Sequence, residues 1–241
     1  MVYPLEVLAR LALPDELVEE GDDFTVALKK HCGGRKSGPI YLLAAAAESG
    51  HEYFLNRALD WIEPTHPYAK AAAAHTAISY AAAADRVTTF RILFEISIRD
   101  CFGEPYMPQD PGWRYVGNYL LEAARHGACE IMTEILDFLD ARGLWNRIPP
   151  PRYGPLGRPY GFVETLKVVP EMAYFKGHRE LAVLFVDRVA PRIPTVEGDL
   201  LRVALQHGDV GTVMRVGALG TCRSIRTRYR RVAESLRNWW V

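Results

Sequence analysis

No apolar run in this chain approaches the roughly 20 residues that a helix needs to cross a bilayer. Nor is there any surplus of charge, since Lys plus Arg and Asp plus Glu each number 29. A balanced chain lacks the field that would draw it to a nucleic-acid backbone or an acidic membrane, so an electrostatic partner must be met by a local patch. Cysteine is sparse as well. Cys32, Cys101, Cys129 and Cys222 form no CxxC pair and stand at no metal-like spacing from histidine, which favours four reduced thiols over a disulfide scaffold or a zinc site. The opening MVYPLEVLARLALP is interrupted by Glu6 and Arg10 and is followed by no small-residue cleavage site, so it is not read as a secretory signal. These absences point to a cytoplasmic or nuclear protein.

Catalytic signatures are missing too. There is no GxSxG elbow, no HExxH and no glycine-rich dinucleotide fingerprint. Lys36-Ser37 stands in the glycine-rich stretch 33–38, but the glycine spacing before the lysine is wrong for a phosphate-binding loop and no strand precedes it. His51 and His178 follow a glycine, while His126 and His207 precede one; that regular placement is a feature of turns, and no orienting group marks any of them as a general base. No catalytic residue, metal ligand or cofactor is assigned.

What the chain does contain is a pattern that comes round five times. An alanine is followed four residues later by a glycine or aspartate: Ala46 to Gly50, Ala81 to Asp85, Ala123 to Gly127, Ala173 to Gly177 and Ala204 to Gly208. With the second residue set at zero, apolar side chains recur at plus five (Leu55, Phe90, Met132, Ala182, Val213) and at plus eight (Ala58, Leu93, Ile135, Phe185, Val216). Leu59, Phe94, Leu136 and Val186 widen the stripe at plus nine, and Leu43, Ile78, Leu120 and Leu201 recur at minus seven. Offsets of three to four residues put such positions on one helix face. The pattern therefore predicts an inner helix, a reversal at position zero in the left-handed region that glycine favours and aspartate tolerates, and an outer helix with one buried face.

The stretches LLAAAAESGHEYFLNRAL, LLEAARHGACEIMTEIL and MAYFKGHRELAVLFV resemble the ankyrin repeat over roughly residues 40–220. The family's Gly-His pair survives as Gly50-His51 and Gly177-His178. Of its Thr-Pro-Leu-His opening the second repeat keeps Thr76 and Ile78, while the fourth places Val169-Pro170 where the inner helix should begin. The resemblance implies an all-α solenoid of about five irregular ankyrin-like hairpins, with N- and C-terminal capping helices, that binds another protein through its concave face.

Three parts follow. Residues 1–36 are an N-terminal helical cap or F-box-like segment, because Tyr3-Pro4-Leu5-Glu6-Val7-Leu8 resembles the start of the motif that docks on the Skp adaptor of cullin ubiquitin ligases. Residues 37–220 are the repeat array. Residues 221–241, with six arginines against Glu234, read as a basic capping helix whose Trp239 and Trp240 pack on the last repeat. Two proline-rich insertions, 101–115 and 146–162, fall between an outer helix and the next inner one and read as loops that proline stiffens. They supply the candidate partner-binding residues: Tyr106, Trp113, Arg114 and Tyr115 from the first, and Arg152, Tyr153, Arg158 and Tyr160 from the second. Aromatic rings and guanidinium groups bring large contact area and forked hydrogen bonds at modest entropic cost. The expected function is a non-enzymatic protein-binding scaffold, extending to a ubiquitin-ligase substrate adaptor. The alternative is a groove adapted as a small-molecule pocket or atypical active site, which would be a deep cavity enclosed by Trp113, Tyr153 and Tyr160.

Overall fold

A computed structural model describes residues 39–62, 69–98, 111–150, 152–153 and 159–219. The F-box-like segment, the glycine-rich stretch 33–38, the basic C-terminal segment, Tyr106 and Arg158 lie outside the described residues. Those that are described form an all-helical protein with one very short β ladder. Its helices are α1 (Pro39–Ser49), α2 (Glu52–Trp61), α3 (Ala69–Ala83), α4 (Val87–Ile98), α5 (Pro111–His126), α6 (Cys129–Ala141), α7 (Phe162–Phe175), α8 (Arg179–Val189), α9 (Thr195–Gln206) and α10 (Val210–Leu219). No described helix is long and apolar enough to cross a membrane. The chain divides into two compact units, with the boundary inside α6 between Glu134 and Ile135.

Each reversal is built as the sequence predicts. Gly50, Gly127, Gly177 and Gly208 have φ of 77°, 75°, 88° and 64°, and Asp85 takes 52°. The next residue closes the turn in every case. Its N–H donates to the carbonyl of the alanine at minus four: His51 to Ala46 at 3.0 Å, Arg86 to Ala81 at 2.9 Å, Ala128 to Ala123 at 3.0 Å, His178 to Ala173 at 2.8 Å and Asp209 to Ala204 at 2.9 Å. This is the six-to-one bond of a left-handed helix terminus, and it satisfies a carbonyl that the helix leaves without a partner. The same residue then accepts the first bond of the outer helix, as in Leu55 N to His51 O at 3.0 Å and Phe90 N to Arg86 O at 2.9 Å.

A side chain added at Gly177 or Gly208 meets nothing within 4 Å, whereas at Gly50 it would lie 2.9 Å from Cδ of Arg86. Gly177→Ala and Gly208→Ala should each lose about 1 kcal/mol, the left-handed penalty less the gain from a stiffer unfolded chain. Gly50→Ala should lose more, because Arg86 Nε donates to the carbonyl of Glu48 at 3.2 Å and would be displaced. Urea denaturation checks the order; an equal or larger loss at Gly177 would contradict it.

The helix faces follow the offsets. The minus-four alanines are buried, as are Leu43, Ile78, Leu120 and Leu201 at minus seven and every plus-eight and plus-nine residue of the pattern. At plus five, Leu55, Phe90, Met132 and Ala182 are buried and Val213 is half-buried. Alanine is the best helix former and the smallest side chain that keeps the chain helical, so inner helices rich in it can pack closely. In the first unit α1 packs on α3 and α3 on α5, while each of α2 and α4 packs on its own inner helix. In the second, α7 packs on α9, α8 on α7 and α10, and α9 on α10.

Polar contacts cross from one hairpin to the next. Besides Arg86, Thr89 Oγ1 reaches back to the carbonyl of Ala47 at 3.3 Å and to that of Arg86 at 3.1 Å. Along the outer helices Arg91 pairs with Glu134, Arg188 with Asp137 at 2.6 Å and Asp140 at 2.9 Å, and Arg215 with Glu180 at 2.6 Å. Such exposed pairs contribute little individually; they mark which helices are neighbours.

Three sequence expectations change. The first insertion is shorter than 101–115, because α5 begins at Pro111 and takes in Trp113, Arg114 and Tyr115. Proline suits a first helical turn, where its fixed φ fits and its missing donor is not needed. In the fourth repeat Pro170 stands inside α7 rather than at its start, since the helix begins eight residues earlier at Phe162. Phe162, Leu166 and Val169 recur at helical spacing and are all buried, and that packing outweighs the bond that proline cannot give to Leu166. The second insertion is not wholly irregular: Leu144–Arg147 forms a 3-10 turn, and β1 (Arg152–Tyr153) pairs antiparallel with β2 (Pro159–Tyr160), Arg152 opposite Tyr160 and Tyr153 opposite Pro159.

Candidate functional site

The eight nominated residues have different fates. Trp113 is 3% exposed and belongs to the core of the first unit, so its indole is a packing group. Arg114 is exposed and Tyr115 half-exposed, both on the first turns of α5. Arg152, Tyr153 and Tyr160 are placed by their backbone in the β ladder. Tyr106 and Arg158 lie outside the described residues.

Arg114 and Tyr115 meet a residue that the loop-based reading passed over. His75 projects from the middle of α3, which packs on α5. Its ring lies 4.2 Å from that of Tyr115, tilted by 41°, and its Nδ1 is 2.7 Å from the hydroxyl of Tyr119. Tyr119 is 1% exposed and presents its ring edge-on to Phe90 and Phe94 of α4, at 6.4 Å and 5.8 Å. The chain of rings therefore runs from the core to the surface and holds the imidazole in place. Burial, and secondarily the Arg114 charge, hold the His75 pKa below its ordinary 6.5, so the imidazole is neutral at pH 7. A phenol is a better donor than a neutral imidazole, and imidazole nitrogen the better acceptor. The Tyr119 hydroxyl therefore donates to Nδ1, which leaves the ring proton on Nε2. Arg114 forms no ion pair or hydrogen bond among the described residues.

The second unit carries a polar cluster at a different place, the Gly208 reversal. Asp209 follows the left-handed Gly208 and caps α10, accepting from Thr212 N at 3.0 Å and Thr212 Oγ1 at 2.9 Å. It also accepts from the Tyr174 hydroxyl at 3.1 Å and pairs with Arg179 at 3.2 Å. The Thr212 N–H, opposed by burial and aided by the Thr212 and Tyr174 hydroxyls and the Arg179 charge, holds its carboxyl below 3.8. Both oxygens are committed, so Asp209 ties the fourth hairpin to the fifth and offers nothing to a ligand.

One regularity extends through both units. At minus nine the inner helices expose Tyr41, Thr76, Asn118 and Val168, with Asp199 half-exposed; at minus two they expose Ala83, Arg125, Phe175 and Gln206, with Glu48 half-exposed. Seven residues apart is two turns, so these offsets share one face. The buried offsets repeat a residue type, and the exposed ones do not.

Among the described residues no group of three or more His, Cys, Asp or Glu is placed to hold a metal ion. Cys129 is an exposed free thiol whose pKa is raised by burial and by the charges of Asp85 and Glu130. Protein-family models, curated proteins and solved structures yield no match to this chain.

Proposed function

We propose that the chain is a non-enzymatic protein-binding scaffold of ankyrin-like helical hairpins, with a solenoid-type array as its finer architecture. Support for that kinship comes from five left-handed reversals closed on five alanines, from inner helices packing on inner helices, and from the β1–β2 pair in the connection that leads to an inner helix. The observation that carries the function is the variable exposed face. The buried minus-four positions repeat alanine in all five repeats, and four of the five minus-seven positions carry Leu or Ile, with Pro170 in the fourth. A face built to recognise a partner carries a different side chain at each step, as Tyr41, Thr76 and Asn118 do.

The test is affinity capture from cell extract followed by mass spectrometry, comparing the intact chain with a Thr76→Ala, Arg114→Gln, Asn118→Ala variant. All three residues are exposed, so the variant should unfold with the intact chain's midpoint. Loss of a specific protein from the folded variant supports the scaffold, and recovery of a Skp adaptor by both forms identifies residues 1–36 as an F-box. Identical captures by both forms would sink the assignment to this face.

A further inference from the structure

We propose that the surface shared by α3 and α5 seats a carboxylate side chain of a partner polypeptide, held between the Arg114 guanidinium and the Nε2 proton of His75 and walled by the Tyr115 ring. This rests on the protein-binding reading of the same inner-helix face and names the chemistry it recognises.

The groups that converge here are donors. Arg114 is exposed and has no carboxylate of its own among the described residues, although other guanidinium groups of the same unit do: Arg125 pairs with Glu122 at 3.0 Å and Arg91 with Glu134. His75 spends Nδ1 on Tyr119, so the donor left on this half-buried ring is Nε2. Tyr115 lies against the imidazole and offers a flat apolar wall, suited to the methylene groups of Asp or Glu. Apart from His75, the ionisable side chains of α3 are Lys70 and Tyr80, so α3 brings no carboxylate there to repel an acid. The carboxylate two turns further along α5, Glu122, is engaged by Arg125 and by His126 at 3.6 Å.

Charge decides the class of anion. With His75 neutral the site carries one formal positive charge, which a single carboxylate balances; a phosphate dianion would call for a second cation. Arg also supplies the planar fork that matches a carboxylate. The imidazole need not be charged to contribute, because its position is fixed through a tyrosine anchored in the core, and a donor held in place loses little freedom on binding.

The probe is a displayed library of random dodecapeptides selected on the intact chain, with the selected peptides resynthesised and measured by fluorescence anisotropy. The expected result is an Asp or Glu at a shared position, binding weakened roughly 10- to 100-fold by Arg114→Gln, and an equal loss when the peptide's acid becomes its amide. The two changes together should cost little more than either alone, and the His75 imidazole signals should shift in the NMR spectrum as the acidic peptide is added. Selected peptides without a shared acid, or with equal affinity for the Arg114→Gln variant but weakened by Thr76→Ala or Asn118→Ala, would overturn the carboxylate site and leave the protein-binding face standing. Tighter binding of a peptide with phosphoserine in the acid's place would overturn the assignment of the anion. Peptides indifferent to all three substitutions would overturn both readings.

Discussion

Leu93→Ala and Ile135→Ala should each lower the stability of the unit that holds the residue by about 2–5 kcal/mol. Both side chains occupy the plus-eight position and both are fully buried, at 0% exposure. Truncation removes the transfer energy of the lost methyl and methylene groups and leaves a cavity that packed helices fill only in part. Leu93 faces inward from α4 beside Phe90 and Phe94, whose rings stack at 5.3 Å, so collapse around the void is restricted and a loss in the upper part of the range is expected there. Replacement of exposed Glu95 or Asn118 by alanine is the control and should stay within about 0.5 kcal/mol. Chemical denaturation monitored by circular dichroism gives the comparison, and a core variant as stable as the control would mean that the helix register is wrong.

The second large effect belongs to Asp209. Asp209→Ala should lose about 2–4 kcal/mol, because it removes the cap of α10 and leaves the hydroxyl of Tyr174, a side chain only 5% exposed, without its acceptor. Linkage gives an independent check. The folded carboxyl of Asp209 titrates below 3.8, first because it accepts the Thr212 N–H. Asp140 is also depressed: burial would raise it, but hydrogen bonds from Arg188 and Trp145 and the charges of Arg192 and Arg188 prevail. A group with a lowered folded pKa stabilises fully above its unfolded value and loses that contribution as pH falls through the folded one. Stability should therefore drop as pH falls below about 3.8, and Asp209→Asn should show a shallower drop over that range. An unchanged acid slope in the variant would show that Asp209 does not hold the two hairpins together.

Reversals and buried faces were legible where chemistry is local. Left-handed φ, the missing side chain of glycine and the 3.6-residue period act within a few positions, so Gly50, Asp85 and Leu93 could be placed from their neighbours alone. Pro111 carried a first-turn signal that a proline-rich setting concealed, and Trp113 therefore passed for a loop residue. Pro170 shows the opposite case: a local rule against proline inside a helix gave way to the burial of Phe162, Leu166 and Val169.

The candidate site was half legible. Arg114 and Tyr115 stood out by residue type, but His75 lies 44 positions from the tyrosine it bonds, and only packing of α3 on α5 brings them together. Its place in a run of alanines gave no hint of a ring partner. Asp209 had a weak local signal, an Asp followed three residues later by a threonine just after a helix-ending glycine; its bond to Tyr174 is again a product of packing.

The central claim is that the exposed inner-helix face binds a protein. A photo-crosslinking amino acid placed at Asn118 tests it most directly, with a second at Glu95 on outer helix α4, both exposed positions. After irradiation in cell extract, the account predicts a discrete adduct with one protein from position 118, diminished by adding Arg114→Gln, and none from position 95. The same adduct from position 95, with none from 118, would place recognition on the outer helices and contradict the account.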